Sequence, residues 1–234
     1  MAIKFQKIED CIKETGLKLL VIGASGAGKT VLLGTCKGST VIINVEAGLM
    51  SLSKSKNKNI QVLTIRDLHD LEEALSYFKQ KGCPDWICVD SISEIAEAVL
   101  ASEMLKTKNN LKAYGEMATI VTGLIKEFRD LPCNVIMTSK EARVKDENVG
   151  MLYEPSLPGA KLSAGISYYF DFVLAMRIFK NEQGEISHFL QCNSDGFYTA
   201  KDRSNTLNLF EPPDISLLEE KVKRPVSSTK TKAA

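Results

Sequence analysis

Apolar residues along this chain fall into short continuous runs separated by stretches with helical spacing. Leu17–Ile22, Thr40–Val45, Ile60–Ile65, Trp86–Val89 and Asn134–Thr138 are four to six residues long and rich in β-branched side chains, which predicts buried strands. Between them, Leu68, Leu71, Ala74, Leu75 and Phe78 recur at helical intervals behind Asp67, a capping residue, and Gly82 and Pro84 end that helix. Ile92, Ile95, Ala96, Val99 and Leu100 predict a second helix, and after a polar break at Lys106–Asn110 a third carries Ile120, Val121, Leu124, Ile125 and Phe128 to Asp130. Phe170–Phe179 and Ile186–Cys192 read as two strands of a hairpin turning at Asn181–Glu185. Glu141–Gly165 is polar and broken by Pro155 and Pro158, which predicts a long irregular segment of the kind that carries function.

Strands alternating with helices predict an α/β fold with a mostly parallel central sheet, helices on both faces and an antiparallel edge hairpin. The ends add less. Residues 3–14 (Ile3, Phe5, Ile8, Ile12) suggest a short helix leading into the core, and Pro212-Pro213 closes it. The expected organisation is a core over 1–211, then a short helix capped by Asp214 and a flexible basic tail from Lys221 on, together spanning 212–234.

Composition narrows the chemistry. With 44% hydrophobic and 25% charged residues, the 234-residue chain can bury a full core, and its net charge of +1 excludes a general polycation. Any nucleic-acid contact must therefore come from a local patch. The lysine-rich stretch Ser53–Asn59 is read as a solvated loop. Six scattered cysteines without a C-x-x-C pair read as reduced thiols, and the two histidines, His69 and His188, fit ordinary positions in a helix turn and a hairpin strand rather than a zinc site. No apolar run approaches the ~18 residues of a membrane span, so a cytoplasmic protein is expected.

The chemical signal is concentrated in Gly23-Ala24-Ser25-Gly26-Ala27-Gly28-Lys29-Thr30, which fits G-x-x-x-x-G-K-[ST] at every fixed position and lies between a predicted strand and the helix opened by Val31-Leu32-Leu33. Glycines there let successive backbone N–H groups turn inward on phosphate oxygens, aided by the helix N-terminus. Lys29 is expected to reach the β- and γ-phosphates of ATP, and Thr30 to ligate Mg²⁺. Asp90 closes a buried strand beyond this loop, the position from which a carboxylate can approach Mg²⁺. Many such ATPases carry Glu directly after that Asp; here the residue is Ser91, so Glu46, at the end of the Val41–Val45 strand, is the candidate for activating water. Trp86 begins a buried strand and is expected to pack in the core rather than on a base.

Ile43-Asn44-Val45-Glu46-Ala47, Val89-Asp90-Ser91 and Ala200-Lys201-Asp202-Arg203 together resemble the RecA-type ATPase core. Thr138-Ser139-Lys140-Glu141, Leu157-Pro158-Gly159, Phe170-Asp171-Phe172 and the Lys-Asp-Arg-Ser stretch at 201–204 are similar to the small phage-encoded members associated with single-strand annealing recombination, over about residues 15–222. The resemblance implies a RecA-like P-loop NTPase in which Glu46 activates water, while Lys201 and Arg203 reach the nucleotide of a neighbouring subunit in a homo-oligomer. It also implies that Lys140 stands where RecA has a γ-phosphate-sensing Gln, so that Lys140 would meet phosphate directly. Segment 141–167 would face single-stranded DNA, with Arg143, Lys145 and Lys161 as its cations and Tyr153 stacking on a base, diluted by Asp146, Glu147 and Glu154. A single-strand DNA-binding protein is a further partner in that setting, in the cytoplasm of a phage host.

Three readings follow. The leading one is a Mg²⁺-dependent, oligomerising ATPase that handles single-stranded DNA in phage recombination or replication. A second is a nucleotide-gated assembly or regulatory ATPase with no DNA role. The third is a small-molecule P-loop kinase, against which stand few and scattered arginines (Arg66, Arg129, Arg143, Arg177, Arg203, Arg224) with no lid-like cluster.

Overall fold

A computed structural model describes residues 15–46, 48–146 and 150–223. The expected helix over 3–14 and the tail from 224 onward lie outside these residues. Six strands run parallel: β1 (Lys18–Ile22), β2 (Thr40–Asn44), β3 (Ile60–Thr64), β4 (Trp86–Asp90), β5 (Asn134–Asp146) and β7 (Phe172–Lys180). Their spatial order is β7-β1-β5-β4-β2-β3, and β8 (Ile186–Gln191) and β10 (Phe210–Glu211) extend the β7 side antiparallel. β6 (Gly150–Ser156) pairs with β5, and the two-residue β9 (Lys201–Asp202) with the start of β7. The mixed α/β architecture, the mostly parallel sheet and the antiparallel edge hairpin are all as expected.

Both faces of the sheet are covered because its central strands alternate two apolar sets. Leu20 and Ile22 of β1, Ile87 and Val89 of β4, and Val135 and Met137 of β5 meet helices α2 (Leu68–Lys81), α3 (Ile92–Lys106), α4 (Asn110–Arg129) and α5 (Ala160–Ile166). Leu19, Val21, Trp86, Cys88 and Ile136 point the other way, onto α1 (Lys29–Leu33) and α6 (Ile215–Lys223). Lys18 lies in the buried strand β1 because its Nζ donates to the carbonyls of Leu131, at 2.7 Å, and Cys133; burial lowers its pKa. The helix starts follow their caps: Asp67, Ser91 and Asn109 accept from the backbone N–H three residues on.

Three expectations need correcting. Glu141–Gly165 is not irregular: β5 runs on to Asp146 and returns as β6, with Lys140 opposite Ser156 and Arg143 opposite Tyr153, and α5 follows. The hairpin leaves the sheet with no continuous apolar face to bury, so its charged positions imitate a loop. Pro155 is tolerated because β6 pairs only with β5 over most of its length and needs no N–H on its outer side. The third long helix begins at Asn110, with Ala113 and Met117 already buried, well before the first apolar residue assigned to it. Lys221–Lys223 belong to α6, whose Ile215 and Leu218 pack on the sheet, rather than to a tail.

Trp86 is fully buried at the start of β4. Trp86→Ala is expected to lower unfolding free energy by about 3–5 kcal/mol in a denaturant titration followed by circular dichroism.

Candidate functional site

β1 ends at Ile22, and the chain leaves the carboxyl edge of the sheet as Gly23–Gly28 before α1 begins. The loop depends on glycine: Gly26 and Gly28 have φ of +76° and +100°, and a Cβ on Gly23 would sit 3.1 Å from Cβ of Met176. Around it is a cavity of about 440 Å³, lined by residues of the 23–31 loop with Glu46, Ser51, Lys140 and Glu141. The side chains that face it are arranged by three strands ending side by side.

Asp90 closes β4 and is buried. One of its oxygens accepts from Thr30 Oγ1 at 2.6 Å, and the other from Thr138 Oγ1 on β5. Because β5 is inserted between β1 and β4, Thr138 is placed to hold Asp90 from the strand that separates it from the loop. Lys29 Nζ donates to the carbonyls of Gly23 and Ala24 at 2.7 and 2.9 Å, so the ammonium is folded back on its own loop. Burial lowers its pKa, opposed by the charges of Glu46, Asp90 and Glu141. The β2 strand exit is held to β4 by Glu46 N–H donating to the Asp90 carbonyl at 3.2 Å, and Ser91 Oγ donates to the Glu46 carboxylate. Ser91, seen in sequence only as the absence of a glutamate, thus holds the Glu46 carboxylate in place.

Lys140 lines the same cavity, but its Nζ is taken by Glu94 and Glu97 of α3, the latter at 2.8 Å, and these bonds push its pKa up. Glu141 comes next and has one oxygen buried without a hydrogen-bond partner among the described residues. Burial raises its pKa against the pull of Lys29 and Arg177. His188 also reaches the loop: its Nδ1 lies 3.0 Å from the Ala27 carbonyl, so that nitrogen carries the proton and donates. Nothing local in the sequence signals a contact spanning 161 residues. For Glu141 and Thr138 there was a signal, since both lie within two residues of Lys140 at the exit of a buried strand.

Expected residues Gly23–Val31, Glu46, Asp90 and Lys140 therefore converge. Lys201 and Arg203 do not join them. They sit at the opposite end of the strands, where Lys201 is level with Val173, its Nζ donates to the Ser167 carbonyl at 2.6 Å, and Arg203 bonds Asp171 at 2.9 Å. Arg143, Lys145 and Tyr153 lie on the β5–β6 hairpin and Lys161 is exposed on α5. The Tyr153 ring stacks on Tyr198 with centroids 4.4 Å apart and planes 7° from parallel, and Arg143 lies 5.9 Å from its centre. One face of Tyr153 is thereby already covered.

The donor set suits a phosphate–magnesium pair. Two hard oxygens, Thr30 Oγ1 and Asp90 Oδ2, meet beside a loop of left-handed glycines, and Mg²⁺ characteristically takes one or two protein oxygens with phosphate and water completing its shell. Among the described residues no cluster of three or more His, Cys, Asp or Glu could hold a metal without such help, and no helix is long and apolar enough to cross a membrane. A family model described as an AAA domain matches residues 15–204. No curated protein matches the chain.

Thr138→Val removes one of two donors on a buried carboxylate. It is expected to destabilise the protein by about 1–3 kcal/mol in chemical denaturation, with Thr138→Ser recovering most of the loss.

Proposed function

The chain belongs to the AAA-domain family of P-loop nucleotide-hydrolysing proteins, and from that premise we propose that it is a Mg²⁺-dependent ATPase of RecA type. One observation carries this reading: Thr30 and Asp90 in contact at the floor of a cavity whose walls hold Lys29 and Glu46. On ATP binding, Lys29 leaves the Gly23 and Ala24 carbonyls for the β- and γ-phosphates. Thr30 and Asp90 would hold Mg²⁺, which would supply neutralising charge to the phosphates. Glu46, its rotamer fixed by Ser91, accepts a proton from water as the water oxygen bonds to the γ-phosphorus and the bond to the bridging oxygen breaks, releasing ADP and phosphate.

The finer parts of the reading are oligomerisation and action on single-stranded DNA in phage recombination or replication. In this reading 1–211 form the ATPase core and 212–234 an appended helix and tail. Lys201 and Arg203 cannot serve the nucleotide of their own chain from the far end of the strands, which agrees with a role across a subunit interface once Arg203 releases Asp171. The β5–β6 hairpin rises from the cavity rim at Lys140 and Glu141 and carries Arg143 and Lys145 outward, a placement suited to contacting a phosphodiester backbone. The stacking of Tyr153 on Tyr198 favours the reading without base stacking at that residue.

ATP turnover measured against protein concentration, with and without single-stranded DNA, tests the whole reading. Turnover per protomer should rise with concentration and with DNA, fall about 100-fold or more in Glu46→Gln, and fall in Arg203→Ala without loss of assembly by sedimentation. Turnover that is independent of concentration and DNA and unaffected by Arg203→Ala would leave a nucleotide-hydrolysing module with neither finer role.

A further inference from the structure

A second cavity opens beside the one around the phosphate loop. Its volume is about 510 Å³, enough for a small organic ligand, and it shares Val31 and Ser51 with its neighbour. The two spaces therefore meet at the residue that follows Thr30. Val31 is 52% exposed there and offers an apolar shelf. From that junction the groove runs past the end of α1, at Gly34 and Thr35, to the loop that carries Leu52 and Asn57.

The polar groups of this groove that could read the edge of a base are nearly all engaged within the protein. Thr35 Oγ1 donates to the Leu32 carbonyl at 2.7 Å and accepts from Ile215 N–H at 2.8 Å. Ser55 Oγ donates to the Gly34 carbonyl and accepts from Asn57 N–H. The Asn57 amide donates to the carbonyls of Cys36 and Gly38 and accepts from Asn59 N–H. Ser51 Oγ donates to the Gly48 carbonyl, and Lys37 pairs with Glu220. Among the described residues that line the groove, the charged groups left over are Lys54, Lys56 and one oxygen of Asp214, whose Oδ1 caps the start of α6.

Neither kind of leftover group separates adenine from guanine. An ammonium on a long flexible stem meets N7, an acceptor on both purines. A carboxylate oxygen meets an exocyclic amino group, N6 on adenine and N2 on guanine. Apolar contact with Val31 and Leu52 is equally indifferent to the base. A site built to hydrogen-bond its substrate rejects the wrong analogue by about 10⁴-fold, and a groove whose fixed donors are already used has no such means.

We propose that this groove holds the nucleoside of the bound triphosphate and takes purines without selecting between them, so that GTP is as good a ligand as ATP. The inference rests on the reading of the neighbouring cavity as the phosphate site, and it adds where the base lies and how little of the base is read. It also gives the lysine-rich stretch Ser53–Asn59 a contact besides solvent, through Lys54 and Lys56.

The test is calorimetric titration, with Mg²⁺ present, of the β,γ-imido analogues of ATP and GTP and of inorganic tripolyphosphate, a ligand with no base. The two analogues should bind within about tenfold of each other. Leu52→Ala should weaken both by about threefold to tenfold and change tripolyphosphate by less than about twofold. Photolabelling of the wild type with 8-azido-ATP and 8-azido-GTP locates the base without any variant, and so decides the matter should Leu52→Ala fail to fold. Both labels should fall within residues 31–38 and 51–57 and be suppressed by excess ATP or GTP alike. Selection of one purine beyond tenfold, or labels outside those residues, overturns the proposal and leaves the phosphate site standing. A protein that binds neither analogue nor tripolyphosphate overturns the nucleotide reading and this inference with it.

Discussion

The hydrogen bonds on Asp90 tie the sheet to the site. A carboxylate buried at the end of β4 is tolerable only with donors on both oxygens, and these come from Thr30 at the start of α1 and Thr138 on β5. Each donor belongs to a different element, so the pairing of β1, β5 and β4 and the position of the glycine loop are fixed by the same three side chains. Shifting β5 by one residue would turn Thr138 to the other face and leave Asp90 with an unmatched oxygen. The fold and the cavity are in this sense one requirement.

Around that floor the charges are satisfied internally. Lys29 is bound to loop carbonyls, Lys140 to two glutamates of α3, and Glu46 to Ser91. A phosphate ligand has to exchange these contacts rather than fill an open binding set, and Glu141 is the group whose contacts are incomplete from the start. Lys140 and Glu141 both stand where the central sheet gives way to the hairpin.

How much of this could be read from residues alone follows from how local each signal is. The glycine loop, the strand closing on Asp90 and the end of the Val41–Val45 strand announce themselves within a few residues, and the parallel sheet follows from fully apolar runs that only a doubly covered strand explains. The hairpin at 140–156 was hidden because its pairing is made by backbone groups while its side chains alternate charge and small apolar surface, a pattern shared with loops. His188 was hidden for a different reason, since its partner is a carbonyl of the glycine loop that only the edge hairpin brings near. Ser91 was read by what it is not, and its hydroxyl acquires meaning only when β2 and β4 are placed side by side. Lys201 and Arg203 were legible as a basic pair, whereas their distance from the loop depends on β9 pairing with the far end of β7.

The central claim is that Thr30 and Asp90 hold a magnesium ion between the protein and the phosphates of a nucleotide. Isothermal titration of ATP into the protein, with Mg²⁺ present and again after its removal by chelation, addresses it most directly. The account predicts saturable binding of one nucleotide per chain that weakens sharply without Mg²⁺, with the Mg²⁺ dependence itself lost in Asp90→Asn. A flat trace in the presence of Mg²⁺, or binding that is equally strong with and without the ion, would contradict it.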